Sequence, residues 1–362
     1  MDLSNMNDKE EKKDFLFEEL KTLTAKVNGT EGIPEDLAHR LRQMIQRLDR
    51  MANLGHYATE YDTLARYIGI VTSIPWVAKT EDRLDLAATK QALDEHHYGL
   101  DYVKERILEY MSSLILLKQR KKDALGRAPI LLMVGLQGVG KTTLAISIAE
   151  AMKRRFVRIA MGGIGSTLEI RGRSKAFPES EPGLIIKALI SAGVKNPVIL
   201  LDEIEKASGE KGLQSDIMAV LLEILDPAQN IAFRDHYIDF PVDLSDVMFI
   251  CSANNLGPLS TALLDRMETI KMPSYSDAEK MVIARDYVFP KVIENSGLKP
   301  EELEIDPNLW PGIIRPFGYD SGIRSLTRTL EAICRKVAKE IVEGKTDKVV
   351  INADNLKYYL PK

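Results

Sequence analysis

The sequence predicts an α/β fold: a five-stranded parallel sheet with helices on both faces, preceded by a helical arm and followed by a small helical lid. Three observations carry this. Between Ile130 and Met272 five short apolar runs alternate with helical segments, a glycine-rich loop closes the first run, and from Ser274 onward such runs nearly vanish while helical periodicity continues. At 362 residues and 45% hydrophobic, the chain is long enough for about two or three cores of ordinary size.

The arm comes first, over residues 1–75. Leu16, Leu20, Leu23 and Val27 share one helical face, and Leu37, Leu41, Met44, Leu48 and Met51 share another. Pro34 opens the second helix, Gly29 and Gly32 separate the two, and Gly55 follows. These stripes fit packing on the chain's own body as well as on a neighbouring subunit. After Ile74, Pro75 and Trp76 a polar stretch leads to a helix over about 100–121, with Val103, Ile107, Tyr110, Met111 and Leu114 on its apolar side. Strands are expected at 130–134, 156–160, 198–201, 247–251 and 269–272, because apolar runs this short between helices fit buried parallel strands. Ser276 and Glu279 form a capping box that opens a helix ending near Gly297. A long helix over about 322–343 stops at Gly344, and a short strand, 349–351, precedes a last helical turn. The expected domains are 1–75, 76–273 and 274–362.

Charged residues make up 28% and the formal net charge is −4, so nothing marks the whole chain as a binder of nucleic acid or membrane surface. No apolar run approaches the roughly 20 residues of a spanning helix, and the acidic start lacks the regions of a secretory signal. The cytoplasm is the expected compartment, with no membrane partner. Cys251 and Cys334 sit inside apolar segments without metal-site spacing, and the five histidines show none either, so both cysteines are expected in the core and no zinc site is expected.

Directly after the first strand stands Gly135-Leu136-Gln137-Gly138-Val139-Gly140-Lys141-Thr142, with Thr143 next on the helix. This fits the phosphate-binding pattern between a strand and a helix. Glycines let backbone N–H groups converge on phosphate oxygens, and the helix N-terminus adds a favourable field. The ligand expected here is ATP with Mg2+: Lys141 for the β and γ phosphates, the Thr142 hydroxyl for the ion. At the end of the third strand, Leu200-Leu201-Asp202-Glu203 brings two carboxylates to the carboxyl edge of the sheet. Alone, such a pair is equally well an ordinary strand end. After a phosphate loop it reads as Asp202 in the Mg2+ shell and Glu203 polarising the attacking water.

The fourth strand ends in Asn254, which matches the sensor-1 position of AAA+ ATPases and would place the lytic water; a turn cap is the alternative. Longer segments resemble one family closely. Residues 226–237 (DPAQNIAFRDHY), 263–267 (LLDRM) and 97–110 (HYGLDYVKERILEY) look like the ATPase module of Lon proteases, and the resemblance covers roughly residues 60–360. It implies a trans-acting arginine finger at Arg266, a sensor-2 residue at Arg324 and an adenine-pocket segment at His97, Tyr98 and Gly99. For either arginine a surface salt bridge is the alternative, and for the segment a turn packed on the sheet. The family's substrate-gripping pore loop corresponds to Ala176-Phe177-Pro178-Glu179. Phe177 keeps the aromatic, whereas Pro178 departs from the usual aliphatic residue and would stiffen the loop.

The resemblance thus implies an ATP-driven motor, a homo-oligomer in a hexameric ring, that unfolds, translocates or remodels unfolded or damaged polypeptide. Lon proteases also carry a serine–lysine peptidase, which these residues do not match. Peptide-bond hydrolysis is therefore not expected of this chain by itself, and a separate peptidase would be a partner. Two other classes share these motifs: a nucleotide-gated scaffold with negligible turnover, against which Glu203 and Arg266 argue, and a remodeller of nucleic acid, whose mark would be salt-dependent DNA binding.

Overall fold

Helices of the arm open the chain. The computed structural model describes residues 18–53, 58–120, 130–177, 179–207, 213–315 and 322–361; Leu16, Gly55, Lys121 and Pro178 lie outside these. Helix covers 18–29, Glu35–Asn53 and Ala58–Ser73, the second with Glu35 and Asp36 in its first turn and Arg50 in its last, complementing the helix dipole. Leu20, Leu23 and Val27 are buried as their spacing predicts, and Leu37, Leu41, Ile45 and Leu48 form the second line. Ile45 takes the central place that the sequence reading gave to Met44, which with Met51 only flanks the buried line. Steps of four, four and three residues stay closer to the 3.6-residue period than a line through both methionines.

The arm packs on its own chain, because its buried residues share one cluster with Leu132, Ile199 and Cys251 of the sheet. Tyr67 anchors it: the ring is 1% exposed, stacks edge-on against Tyr237 at 5.6 Å, and donates its hydroxyl to the Ile238 carbonyl at 2.8 Å. Tyr67→Phe leaves that carbonyl unpaired and should cost about 1–3 kcal/mol, whereas Tyr67→Ala should cost about 3–5 kcal/mol. Urea denaturation reads both, and two unchanged midpoints would detach the arm from this core.

Strand β1 is Ile130–Val134, β2 Phe156–Ala160, β3 Val198–Asp202, β4 Phe233–Arg234, β5 Pro241–Val242, β6 Met248–Ala253 and β7 Met267–Lys271. Five of them form a parallel sheet in the order β2-β3-β6-β1-β7. The antiparallel pair β4 and β5 was not anticipated; two-residue strands are too short to show a period. Alternate strand residues enter different cores. Leu132, Ile199, Leu201 and Cys251 face the arm side, while Leu131, Met133, Leu200 and Ile250 face the helix Asp101–Gln119 and the phosphate-loop helix Lys141–Ala151. Val103, Ile107, Tyr110, Met111 and Leu114 are all buried, as their spacing predicts.

After the sheet, the capping box of Ser276 with Glu279 is present at the start of the next helix. Helix runs through Asp277–Val282, widens to a π-helical turn over Ile283–Val288, and continues through Phe289–Asn295 to Gly297 at φ 71°. Strand β8, Leu303–Ile305, pairs in parallel with β9, Val349–Ile351. The sequence reading had β9 alone, yet a lone strand would leave its N–H and C=O groups unpaired. Leu326, Leu330, Ile333, Cys334 and Val337 line the buried face of the helix Arg324–Val342. Both cysteines are buried, and desolvation pushes the Cys334 thiol up to about 11. No helix among the described residues is long and apolar enough to cross a membrane.

Candidate active site

The loop after β1 turns on two glycines in the left-handed region, Gly138 at φ 79° and Gly140 at φ 100°, which a side chain would strain. Lys141 starts the following helix and is only 7% exposed. Its ammonium donates to the carbonyls of Gly135 and Leu136 and to Asn254 Oδ1 at 2.9 Å. Burial pushes its pKa down, opposed by the negative charges of Asp202, Glu205 and Glu203.

Asp202 ends β3 with its carboxylate buried. Ser252 donates to Oδ1 and Arg158 Nε donates to Oδ2 at 2.6 Å. Glu203 turns the chain at φ 60°, a costly conformation for a residue with a side chain, and its N–H donates to Ser252 Oγ at 3.0 Å. Lys206 pairs with Glu203 Oε2 at 2.8 Å and is the main reason that the carboxyl lies below the usual range. Asn254, just past β6, also donates Nδ2 to Glu205 Oε1 at 2.7 Å.

A cleft of about 660 Å³ runs between this edge of the sheet and the lid, within the size range of small-molecule sites. Gln137, Gly138, Gly140, Lys141, Thr142, Thr143, Asp202, Glu203 and Asn254 line one wall, and His97, Tyr98 and Arg324 also line it. Three loop positions expected at the ligand stand back. Gly135 offers its carbonyl to Lys141, Leu136 is half exposed over a neighbouring hollow, and Val139 is buried beneath the loop, its carbonyl accepting from Tyr275 at 3.1 Å. Gly99 does not line the cleft either; at φ 64° it makes the turn between the segment and the helix Asp101–Gln119.

His97 Nε2 lies 3.0 Å from Ser147 Oγ, and burial pushes the ring down from 6.5 to about 4. Stability that depends on the neutral ring is therefore complete above pH 6.5 and is drawn down as pH falls from there towards about 4. The ¹⁵N shifts of His97 should stay constant between about pH 8 and 6; a midpoint near the ordinary histidine value would refute the burial.

Arg324 opens its helix beside the phosphate loop: the Ile323 N–H donates to the Gly138 carbonyl at 3.0 Å, and a Cβ on Gly322 would come within 2.4 Å of the Gln137 carbonyl. Arg266 is elsewhere. Its carbonyl accepts from Ile130, the first residue of β1, at 3.1 Å, so it lies at the opposite edge of the sheet, with its guanidinium on Asp226 at 3.2 Å and the Ala262 carbonyl. Phe177 is 64% exposed and lines a separate hollow with Leu168, Arg173 and His236. Sequence reasoning missed Arg158, Ser252, Glu205 and Lys206, and the lid side chains Ile283, Tyr287 and Val288 in the cleft. Ser252 carried a signal, being the one polar residue inside the apolar run 247–251 extended to Ala253.

Residues 131–274 match the ATPase family associated with various cellular activities (AAA), and residues 294–350 match the Lon protease AAA+ ATPase lid domain. The chain is 39% identical to Lon protease 2 of Thermus thermophilus over 98% of its own length and 46% of that protein's. It is 41% identical to Lon protease of Desulforamulus reducens, over 90% of this chain and 39% of the relative, and 41% identical to Lon protease 1 of Bacillus subtilis, over 95% and 43%. The chain thus spans less than half the length of the curated relatives it matches. With an AAA domain followed by a Lon lid, and likeness to Lon proteases along nearly all of its own length, this chain belongs to the Lon family as an AAA ATPase module.

Proposed function

We propose that this chain binds and hydrolyses ATP in the cleft and uses the cycle to pull on polypeptide, as one subunit of a homo-oligomeric ring. The observation that carries the reading is the convergence of two hydrogen-bonded sets, Lys141 with Asn254 and Glu203 with Asp202 through Ser252, at the mouth of a cleft walled by the lid. The residues fit a nucleotide. Left-handed glycines leave the backbone open to phosphate, and a buried ammonium beside them is held by carbonyls and an amide that phosphate oxygens would replace. Mg2+ would be held by the Thr142 hydroxyl and Asp202, and would offset charge on the phosphates.

Lys141 then neutralises the β and γ phosphates, Asn254 places the water, and Glu203 orients it and takes its proton. Arg324 reaches the cleft from the lid, so nucleotide state and lid position are coupled. Arg266 faces away from its own site and would complete the site of the next subunit. Phe177, exposed on its loop, would grip the polypeptide. Peptide-bond cleavage, which the relatives' name denotes, forms no part of this reading; a peptidase would receive what the motor delivers.

The test is steady-state ATP turnover at high chain concentration, with and without an unstructured polypeptide such as casein. Stimulation is the expected result. Turnover indifferent to polypeptide would remove the motor role, and no turnover at any concentration would remove the ATPase.

A further inference from the structure

We infer that Glu205 is a positioning residue for ATP hydrolysis: it fixes the orientation of the Asn254 amide, and through it the groups that surround the attacking water. The inference rests on the ATPase reading above and deepens it.

Glu205 belongs to the single turn Ile204–Lys206 that follows Glu203. Its carboxylate is 6% exposed, one oxygen accepts from Asn254 Nδ2 at 2.7 Å, and the other has no hydrogen-bond partner. A buried carboxylate that uses half of its acceptors is costly, and an apolar side chain of similar size would pack there at less expense. The geometry shows what the cost maintains. The oxygen and nitrogen ends of an asparagine are nearly the same shape, so only their partners decide which way the amide points. On one side stands the Lys141 ammonium, which only donates, 2.9 Å from Oδ1. On the other stands the Glu205 carboxylate, which only accepts.

Between a donor and an acceptor the amide has one orientation. Reversing it would set an NH2 group against an ammonium and a carbonyl against a carboxylate, repulsive at both contacts. The same amide, after Lys206, helps to hold the Glu203 carboxyl below its usual range, and the residue after Glu205, Lys206, pairs with Glu203 directly at 2.8 Å. Two consecutive residues therefore hold the two water-facing groups from behind, Glu205 through Asn254 and Lys206 through the ion pair.

Three variants test this. Glu205→Leu fills the space without an acceptor. It should lower kcat about tenfold or more, with the Kd for a fluorescent ATP analogue within about threefold of wild type and an unchanged thermal midpoint. Glu205→Gln keeps a carbonyl for Asn254 Nδ2 and should recover kcat to within about threefold of wild type, because Lys141 still orders the amide. In the Asn254→Ala background, Glu205→Leu should cost nothing further, since both changes remove one device.

A Leu variant as fast as wild type overturns the inference. So does one in which kcat, Kd and thermal midpoint fail together, which is loss of packing, a Gln variant as slow as Leu, or additive losses in the double variant. A wild-type chain without ATP turnover overturns the ATPase reading itself, and the inference falls with it; wild-type turnover with an indifferent Glu205→Leu overturns the inference alone.

Discussion

Glu203→Gln should lower ATP turnover by about 10²- to 10⁴-fold, the range of a positioned general base, while ATP still binds within about threefold of wild type. The substitution keeps the length of the side chain and its planar end, and the backbone bond from residue 203 to Ser252 Oγ does not involve the side chain. The lost Lys206 contact is a partly exposed ion pair, worth about 0–1 kcal/mol. What disappears is an acceptor charged enough to take a proton from water, held in that form by the Lys206 ammonium. Parallel nucleotide binding and phosphate release measure the two halves. Unaltered release would remove Glu203 from the chemistry, and lost binding would make it a ligand contact.

Arg266→Ala should cost still more, about 10³- to 10⁵-fold in turnover, although the side chain touches nothing in its own cleft. The distance decides this. Arg266 precedes β7 and bonds the first residue of β1, whereas the phosphate loop follows the last, so a whole strand of about 3.3 Å per residue lies between them. Its ion pair with Asp226 is 40% exposed on the arginine side, so the fold loses little. The direct test mixes two inactive chains, Arg266→Ala and Lys141→Ala. If the arginine serves the neighbouring subunit, roughly a quarter of the head-to-tail interfaces in a randomly mixed ring regain a complete site, and turnover returns. An arginine that acts within its own chain would leave the mixture as dead as its parts.

The strands of the nucleotide sheet were legible because buried parallel strands are almost wholly apolar, and Lys141, Asp202, Glu203 and Asn254 follow them at fixed places along the edge. Arg158 was not legible. It is a charged residue inside β2 and reads as a solvated position until the pairing of β2 with β3 brings it to Asp202, a contact 44 residues away along the chain. The lid's contribution was hidden for another reason. Ile283, Tyr287 and Val288 look like ordinary members of a helical stripe, and the π-helical turn that presents them to the cleft leaves no periodic mark. Gly99 does not line the cleft although His97 and Tyr98 do, because a motif names a segment whereas the turn decides which of its residues face the cavity.

Along its central strands β3 and β6 the sheet is buried on both faces, and that has a consequence for how the chain finds its native state. In a sheet with one wet face, a strand that slips by one residue drowns its hydrophobic set, so the error corrects itself. Here Leu200 and Leu201 are buried on opposite sides, and a slipped β3 would still be greasy everywhere. The penalty for slippage must come from the few polar residues at the strand ends. In the native alignment Leu201 stands opposite Cys251, and just beyond that pair the Ser252 hydroxyl bonds the buried Asp202 carboxylate at the wall of the cleft. A shifted alignment buries both groups without each other. The edge that carries Asp202 and Ser252 therefore also penalises misassembly of the sheet, and substitutions there should raise the yield of misfolded chain.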